Sequence, residues 1–205
     1  EYDHDQIKQS LTENNLDYKI LNSRDGLTKT VSKMISEGKV IGWFQGRFEW
    51  GPRSLGARSI IADPRREEMK NIVNTKIKFR EPFRPFAPSI LLENVHDYFE
   101  LEEKDEYLTE QFMLRVAKIK ENMREKIPSV DHFGTGRLQA VSKKSSPIYY
   151  ALIKSFYKLT GVPVIMNTSF NIRGEPIVNT PNEAIDTFLK TDIDVLVCEN
   201  YIIEK

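Results

Sequence analysis

Short apolar runs that stop abruptly at polar residues set what this chain can fold into. Val40-Ile41-Gly42-Trp43-Phe44 ends at Gln45-Gly46-Arg47, and Val162-Pro163-Val164-Ile165-Met166 ends at Asn167-Thr168-Ser169. A run of five is too short for a buried helix and lacks the alternation of a half-exposed strand. It reads as a strand covered on both faces. Such strands need helices to cover them, and the polar residues at their ends are where α/β proteins place ligands.

The intervening sequence supplies helices. Residues 3–14 read as helical and 16–21 as a strand. Residues 27–37 carry Leu27, Val31, Met34 and Ile35 near a 3.6-residue period, with Gly38 at the stop. Asp63-Pro64 predicts a helix start, with Met69, Ile72 and Val73 as its buried stripe. Pro82, Pro85 and Pro88 exclude helix, and Lys76, Lys78 and Arg80 are expected on one side of an extended segment. Strands are expected at 89–92, 112–119 and 137–141, a local helix at 95–99 and loop at 120–135. Ser146-Pro147 opens a helix that stops at Gly161. Thr180-Pro181-Asn182-Glu183 is a capping box opening a helix to about Lys190. The last strand or hairpin falls within 195–203. Strict βαβ alternation is missing, so the expected class is α/β, with α+β as the alternative: a mixed, twisted sheet with flanking helices.

The 205 residues suit one domain or two small ones. Thirty Lys+Arg balance thirty Asp+Glu, which argues against a basic coat for nucleic acid. The lone Cys198 excludes an internal disulfide and a cysteine-based zinc site. His4, His96 and His132 lack metal-ligand spacing, so no metal site is expected. No apolar run nears the ~18–20 residues of a membrane span. The start Glu1-Tyr2-Asp3-His4-Asp5 lacks a signal pattern and an initiator Met. The expectation is a cytoplasmic protein with no membrane contact, and a piece of a longer one.

The zero net charge hides a segregation. Residues 47–84 hold ten Lys+Arg against five Asp+Glu, and residues 93–110 hold eight acidic residues against Lys104. Two solvated faces would explain that, and so would a localised anion site. Four segments carry candidate chemistry. Gly46 to Ser59 is a glycine-shaped loop with Arg47, Arg53 and Arg58, whose planar forks suit phosphate or carboxylate. It matches neither the P-loop nor the dinucleotide fingerprint. Lys78, Arg80 and Arg84 lie in the proline-rich segment, where Phe83 and Phe86 anchor the loop or stack on a base. Asn167, Ser169, Asn171 and Arg173 follow the second apolar run. His132-Phe133-Gly134-Thr135-Gly136-Arg137 is the fourth. Positive charge and neutral donors, with no Ser/His/Asp arrangement, point to phosphoryl or nucleotidyl transfer.

These segments resemble a known family. The stretches Gly51-Pro52-Arg53-Ser54-Leu55-Gly56-Ala57-Arg58-Ser59, Asn74-Thr75-Lys76-Ile77-Lys78-Phe79-Arg80-Glu81, Phe83-Arg84-Pro85-Phe86-Ala87-Pro88 and Asn167-Thr168-Ser169-Phe170-Asn171 with Arg173-Gly174-Glu175-Pro176 are similar to the C-terminal domain of the O-carbamoyltransferases. That family includes nodulation protein U and antibiotic carbamoyltransferases such as the tobramycin enzyme. The resemblance covers roughly residues 26–203. It implies a YrdC-like fold that makes carbamoyl-adenylate from carbamoyl phosphate and ATP with Mg²⁺. A missing N-terminal domain, iron-binding in the family, would then pass the carbamoyl group to an acceptor hydroxyl. Residues 1–25 would be a segment or linker from that domain, and 26–205 the YrdC-like domain. By the same resemblance Arg53, Lys78 and Arg84 are catalytic. These three with Arg137, Asn171 and Arg173 bind nucleotide or phosphate, and Arg47, Arg58, Arg80, Asn167 and Ser169 are second choices for the same cavity. The family commonly reads His-Val-Asp-Gly-Thr-Ala-Arg in the fourth segment, and here the Asp is missing. The alternative function is an RNA- or nucleotide-binding module without chemistry of its own.

Overall fold

The computed structural model describes residues 2–103 and 107–205. Glu1 and residues 104–106, which include Lys104 of the acidic stretch, lie outside the described residues. In chain order the elements are α1 (His4–Glu13), β1 (Lys19–Ile20), α2 (Arg24–Ser36), β2 (Ile41–Phe44), β3 (Arg58–Ala62), α3 (Met69–Ile72) and β4 (Ala87–Leu91). Then come α4 (Val95–Tyr98), β5 (Phe99–Glu100), α5 (Leu108–Gln111), β6 (Val116–Ile119), α6 (Glu121–Arg124), β7 (Thr135–Arg137) and β8 (Gln139–Val141). The chain closes with α7 (Pro147–Thr160), β9 (Val164–Ser169), α8 (Pro181–Lys190), β10 (Val195–Cys198) and β11 (Tyr201–Glu204).

Eight strands form one mixed sheet in the order β1-β11-β10-β2-β3-β9-β4-β8. The β10–β2 and β4–β8 pairs are parallel and the others antiparallel. A small antiparallel sheet, β5-β6-β7, stands beside it. The two apolar runs become β2 and β9, separated in the sheet by β3. Every residue of β2, β3, β4 and β10 is buried, as sheets covered on both faces require. Helices α2 and α7 pack on each other, α7 packs on β4 and β9, and α8 packs on β2 and β10 and against α1. Fully burying residues such as Val31, Ile35, Leu152 and Phe156 contributes about 1.5–3 kcal/mol each.

Local signals explain the helix ends. Thr180 Oγ1 accepts from Glu183 N at 3.2 Å and Glu183 Oε2 accepts from Thr180 N at 3.0 Å, the reciprocal capping box read in the sequence. Gly161 stops α7 at φ +72°. The segment 1–25 contributes Ile7 and Leu11 to the core, and β1 pairs with β11.

Several expectations are corrected. Asp63-Pro64 does not start a helix: Asp63 accepts from Arg65 N at 2.9 Å and from the Arg65 guanidinium at 2.6–3.1 Å, and helix begins at Met69. That local turn bond outcompetes capping. Residues 76–80 are not extended. A π-helical turn, Val73–Ile77, runs into Lys78, and Phe79 follows at φ +48°. The expected strand at 112–119 begins only at Val116, after Met113 at φ +55°. The segment 120–135, expected as loop, contains α6 and a 3-10 turn at Pro128–Val130. The expected strand at 137–141 is split between the sheets, β7 joining one and β8 the other. Strand β3 follows the arginine loop without an apolar run long enough to announce it.

Candidate functional site

The glycine-shaped loop between β2 and β3 is pinned from three sides. Glu49 Oε1 accepts backbone N–H groups of Leu55, Ala57 and Arg58 at 2.8, 2.6 and 3.0 Å. Trp43 Nε1 donates to the Gly56 carbonyl at 2.9 Å. Gln139 Nε2 and Asn167 Nδ2 donate to the Leu55 and Ser54 carbonyls at 2.7 and 3.2 Å. Gln139 Oε1 in turn accepts from Ser89 and Asn167 at 2.6 and 2.9 Å. Buried polar groups satisfied in this way hold a loop in one conformation.

A second clamp shapes the proline-rich loop. Buried Asn74 donates to the Pro82 and Arg84 carbonyls at 3.1 and 2.9 Å and accepts from Arg80 Nε at 2.7 Å. Arg80 also lies 5.1 Å over the Phe86 ring. Phe86 is buried and anchors the loop, while Phe83 is exposed.

Between these loops and β7 lies a cavity of about 420 Å³, lined by Arg53, Arg80, Arg84 and Arg137 with Phe86 and His132 among its other walls. It abuts a smaller recess of about 140 Å³ that shares Arg53, Arg80 and Arg137 and adds Ser54, Asn167 and Ser169. Among the described residues no carboxylate lines either space. Burial, then the neighbouring Arg84, pulls the Arg80 pKa below its usual range, with Arg137 adding to it. Burial and then Arg53 do the same to Arg137. Like charges held this close are stabilised by an anion between them.

Lys78 is 3% exposed. Its Nζ donates to the Ser169 and Asn171 carbonyls, both at 2.8 Å, and to the side chains of the same two residues. Burial, then Arg80, lowers its pKa to about 7. Asn171 is braced by its own bond to the Glu175 carbonyl at 2.7 Å. Glu81 joins the two outlying arginines, accepting from Arg84 at 2.9 Å with Arg173 at 3.9 Å.

The structure thus brings together Arg53, Arg80, Arg84, Arg137, Asn167 and Ser169; Lys78 and Asn171 line neither space but bond to Ser169, and Arg173 meets the group only through Glu81. The structure separates Arg47 and Arg58 from that cavity. Arg47 lines another space, of about 400 Å³, with Trp50, Gly56 and Tyr149. Arg58 is 1% exposed. It donates to the Gln45, Ala57 and Gly46 carbonyls at 2.8, 3.1 and 3.0 Å, and lies 3.5 Å over the Phe44 ring. Its charge is committed to the fold. Glu49, Asn74 and Gln139 were not singled out from the sequence. Their partners lie six or more residues away, many of them backbone groups, which no local pattern reveals.

The fold and site define a class: a mixed-sheet domain with a cavity that gathers arginines. The chain matches the family described as Carbamoyltransferase C-terminus over residues 32–205, and it belongs to that family. It is 46% identical over 182 residues to nodulation protein NolO of Bradyrhizobium diazoefficiens, covering 88% of this chain and 33% of NolO. The chain spans about a third of the length of the first curated relatives it matches. Among solved structures, full-length HypF in a phosphate- and nucleotide-bound form superposes with a TM-score of 0.59 at 22% identity, covering 89% of this chain and 22% of HypF. P. abyssi Sua5 complexed with L-threonine gives 0.59 at 16% identity, covering 86% and 47%. The fold is YrdC-like, as the resemblance implied.

Proposed function

We propose that this domain forms carbamoyl-adenylate from ATP and carbamoyl phosphate, as one part of a longer O-carbamoyltransferase. The observation that carries the reading is the grouping of Arg53, Arg80, Arg84 and Arg137 around one cavity that no described carboxylate lines, in a member of the carbamoyltransferase C-terminal family. Charge-assisted hydrogen bonds of roughly 1.5–3 kcal/mol each suit a triphosphate. HypF, whose fold this domain shares, has been solved in a phosphate- and nucleotide-bound form.

In this reading water cleaves carbamoyl phosphate to carbamate and inorganic phosphate. A carbamate oxygen then attacks the α-phosphorus of ATP, the bond to the bridging oxygen of the β-phosphate breaks, and pyrophosphate leaves. The arginines hold the phosphates in line and offset the charge that grows on pyrophosphate. Lys78, fixed by Ser169 and Asn171, places a further cation beside the recess. Mg²⁺ would accompany ATP through phosphate oxygens and water; among the described residues no group of three or more His, Cys, Asp or Glu is placed to hold an ion. Transfer to the acceptor hydroxyl would fall to the upstream domain.

Calorimetric titration with a non-hydrolysable ATP analogue and Mg²⁺ tests the reading, followed by assay of pyrophosphate release on addition of carbamoyl phosphate. The expected result is binding that disappears in a folded Lys78→Ala variant. A wild-type protein with no affinity for the analogue overturns it.

A further inference from the structure

The segment that joins α5 to β6 turns apolar side chains outward. Leu114 is 70% and Val116 63% exposed, and Phe112 is exposed too, while Met113 is buried. Met113 sits at φ +55°, a conformation that a bulky residue adopts only where its surroundings impose it. Along β6 the outward positions are Val116 and Lys118 and the inward ones Ala117 and Ile119. An outward strand position that meets water is ordinarily polar, and Val116 departs from that rule.

This strip borders three spaces of the molecule. Phe112 lines the space that holds Arg47 and Trp50, Met113 lines the small recess, and Val116 lines the arginine cavity. Trp50, which shares its space with Phe112, is 97% exposed, although Glu49, Trp43 and Gln139 pin the loop that carries it. Exposed apolar side chains scattered singly need no explanation, whereas a contiguous group rimmed by polar residues marks a surface that another molecule covers. Tryptophan and arginine are the residue types that dominate protein–protein contacts. Leu114 and Val116 have no ring on which a base could stack, which favours a protein over a nucleic acid as the occupant.

The relatives indicate which protein. The family matched is a C-terminus, and the match runs to residue 205. It covers 33% of NolO, so most of that relative lies ahead of the matching domain. A region tethered in this way meets the strip at a local concentration that a free partner does not reach. We propose that Trp50 and the strip Phe112, Leu114 and Val116 form the surface on which the upstream part of the same longer polypeptide docks, beside the arginine cavity. The assignment rests on the reading that this domain is one part of a longer carbamoyltransferase. It gives the outward tryptophan, leucine and valine a partner, and it keeps water from an acyl-adenylate that open solvent would hydrolyse.

Hydroxyl-radical footprinting read by mass spectrometry tests this on the longer polypeptide, with the 205-residue chain as reference. Trp50, Phe112 and Leu114 are expected to be oxidised several-fold less in the longer polypeptide. Leu159 and Leu189, exposed near the ends of α7 and α8, are expected to be oxidised equally in both. Leu114→Glu in the longer polypeptide should return Trp50 to its level in the 205-residue chain. Leu114 lines none of the three spaces, so the same substitution in the 205-residue chain should leave its melting temperature and its affinity for the ATP analogue unchanged. Equal oxidation of Trp50 and Leu114 in both forms overturns the docking surface, and so does protection confined to Leu159 and Leu189. Protection that appears in the 205-residue chain as its concentration rises assigns the strip to a second copy and overturns the proposal. Protection that appears only on adding single-stranded RNA also overturns it. The nucleotide reading is judged separately: it stands after any of these results if the 205-residue chain binds the ATP analogue, and it fails, whatever the footprint, if neither form binds.

Discussion

Lys78 Nζ donates to the backbone carbonyl of Asn171 at 2.8 Å, across 93 residues of sequence. This bond ties the proline-rich loop to the segment just after β9 and fixes a buried cation behind Ser169. Burial and Arg80 favour the neutral amine, bringing its pKa to about 7, while the surrounding oxygens favour the ammonium. Anion affinity should therefore fall as pH rises through about 7, because the neutral amine attracts phosphate less. Titrations of the ATP analogue at pH 6 and 8.5 should show that fall in the wild type and a flatter profile in Lys78→Met. An identical slope in both proteins would assign the titration elsewhere. Stability follows the opposite trend. The folded pKa lies below the ordinary 10.5, so between about 7 and 10.5 the unfolded chain binds more protons. The contribution of Lys78 thus makes stability rise with pH across that window, its cost being fully present below pH 7.

Arg58 and Arg53 lie five residues apart and have different tasks. Arg58 donates to three carbonyls under Phe44, and Arg53 lines the cavity. Arg58→Met should cost about 3 kcal/mol of stability, because it leaves buried carbonyls unpaired. Arg58→Lys should recover little, since an ammonium cannot reproduce the guanidinium fork. Arg53→Ala should leave stability within about 0.5 kcal/mol and weaken nucleotide binding at least tenfold. Urea unfolding paired with titration separates the two. Equal stability losses would show that both arginines are structural.

The same contrast shows what the sequence made legible. Residue types and spacing located the four segments, because arginines among glycines and prolines are visible locally. They did not reveal which guanidinium turns inward, since that depends on where the carbonyls of Gln45 and Gly46 fall after β2 and β3 pair. The helices α2, α7 and α8 were legible from periodicity and end signals. Residues 76–80 were not, because Lys78 is drawn into a buried cage by acceptors at the end of β9 and just after it, and this tertiary contact overrides the alternation of an extended segment. Strand β3 escaped notice because Arg58 and Ser59, at its start, are polar residues that are nonetheless buried.

Gln139 joins three strands to the arginine loop. It accepts from Ser89 on β4 and Asn167 on β9 and donates to the Leu55 carbonyl. Gln139→Ala strands these groups in the interior and should cost about 2–4 kcal/mol. Gln139→Glu keeps the acceptors but loses the donor and buries a charge, so it should be at least as harmful. Both should also weaken nucleotide binding, because Arg53 sits on the loop that Gln139 steadies. A stability loss under about 0.5 kcal/mol by urea denaturation would show that the knot does not hold the loop.

Gly51 and Gly56 flank Arg53, and a methyl group added at each would meet different surroundings. Both have strongly positive φ, +106° and +104°. A Cβ at Gly51 would meet nothing within 4 Å, whereas one at Gly56 would fall 2.2 Å from Cδ1 and 2.5 Å from Cγ of Tyr149. That ring is fully buried at the start of α7. Gly51→Ala should therefore cost only the backbone term, about 1 kcal/mol. Gly56→Ala adds overpacking, bringing the loss to about 3 kcal/mol or more. For a chain of this size the second corresponds to a drop of about 10 °C in melting temperature. Scanning calorimetry on the two variants isolates the steric part, because the backbone cost is common to both. Equal drops would mean that α7 can slide away from the loop, and that the arginine loop is less firmly seated than the Gly56–Tyr149 contact requires.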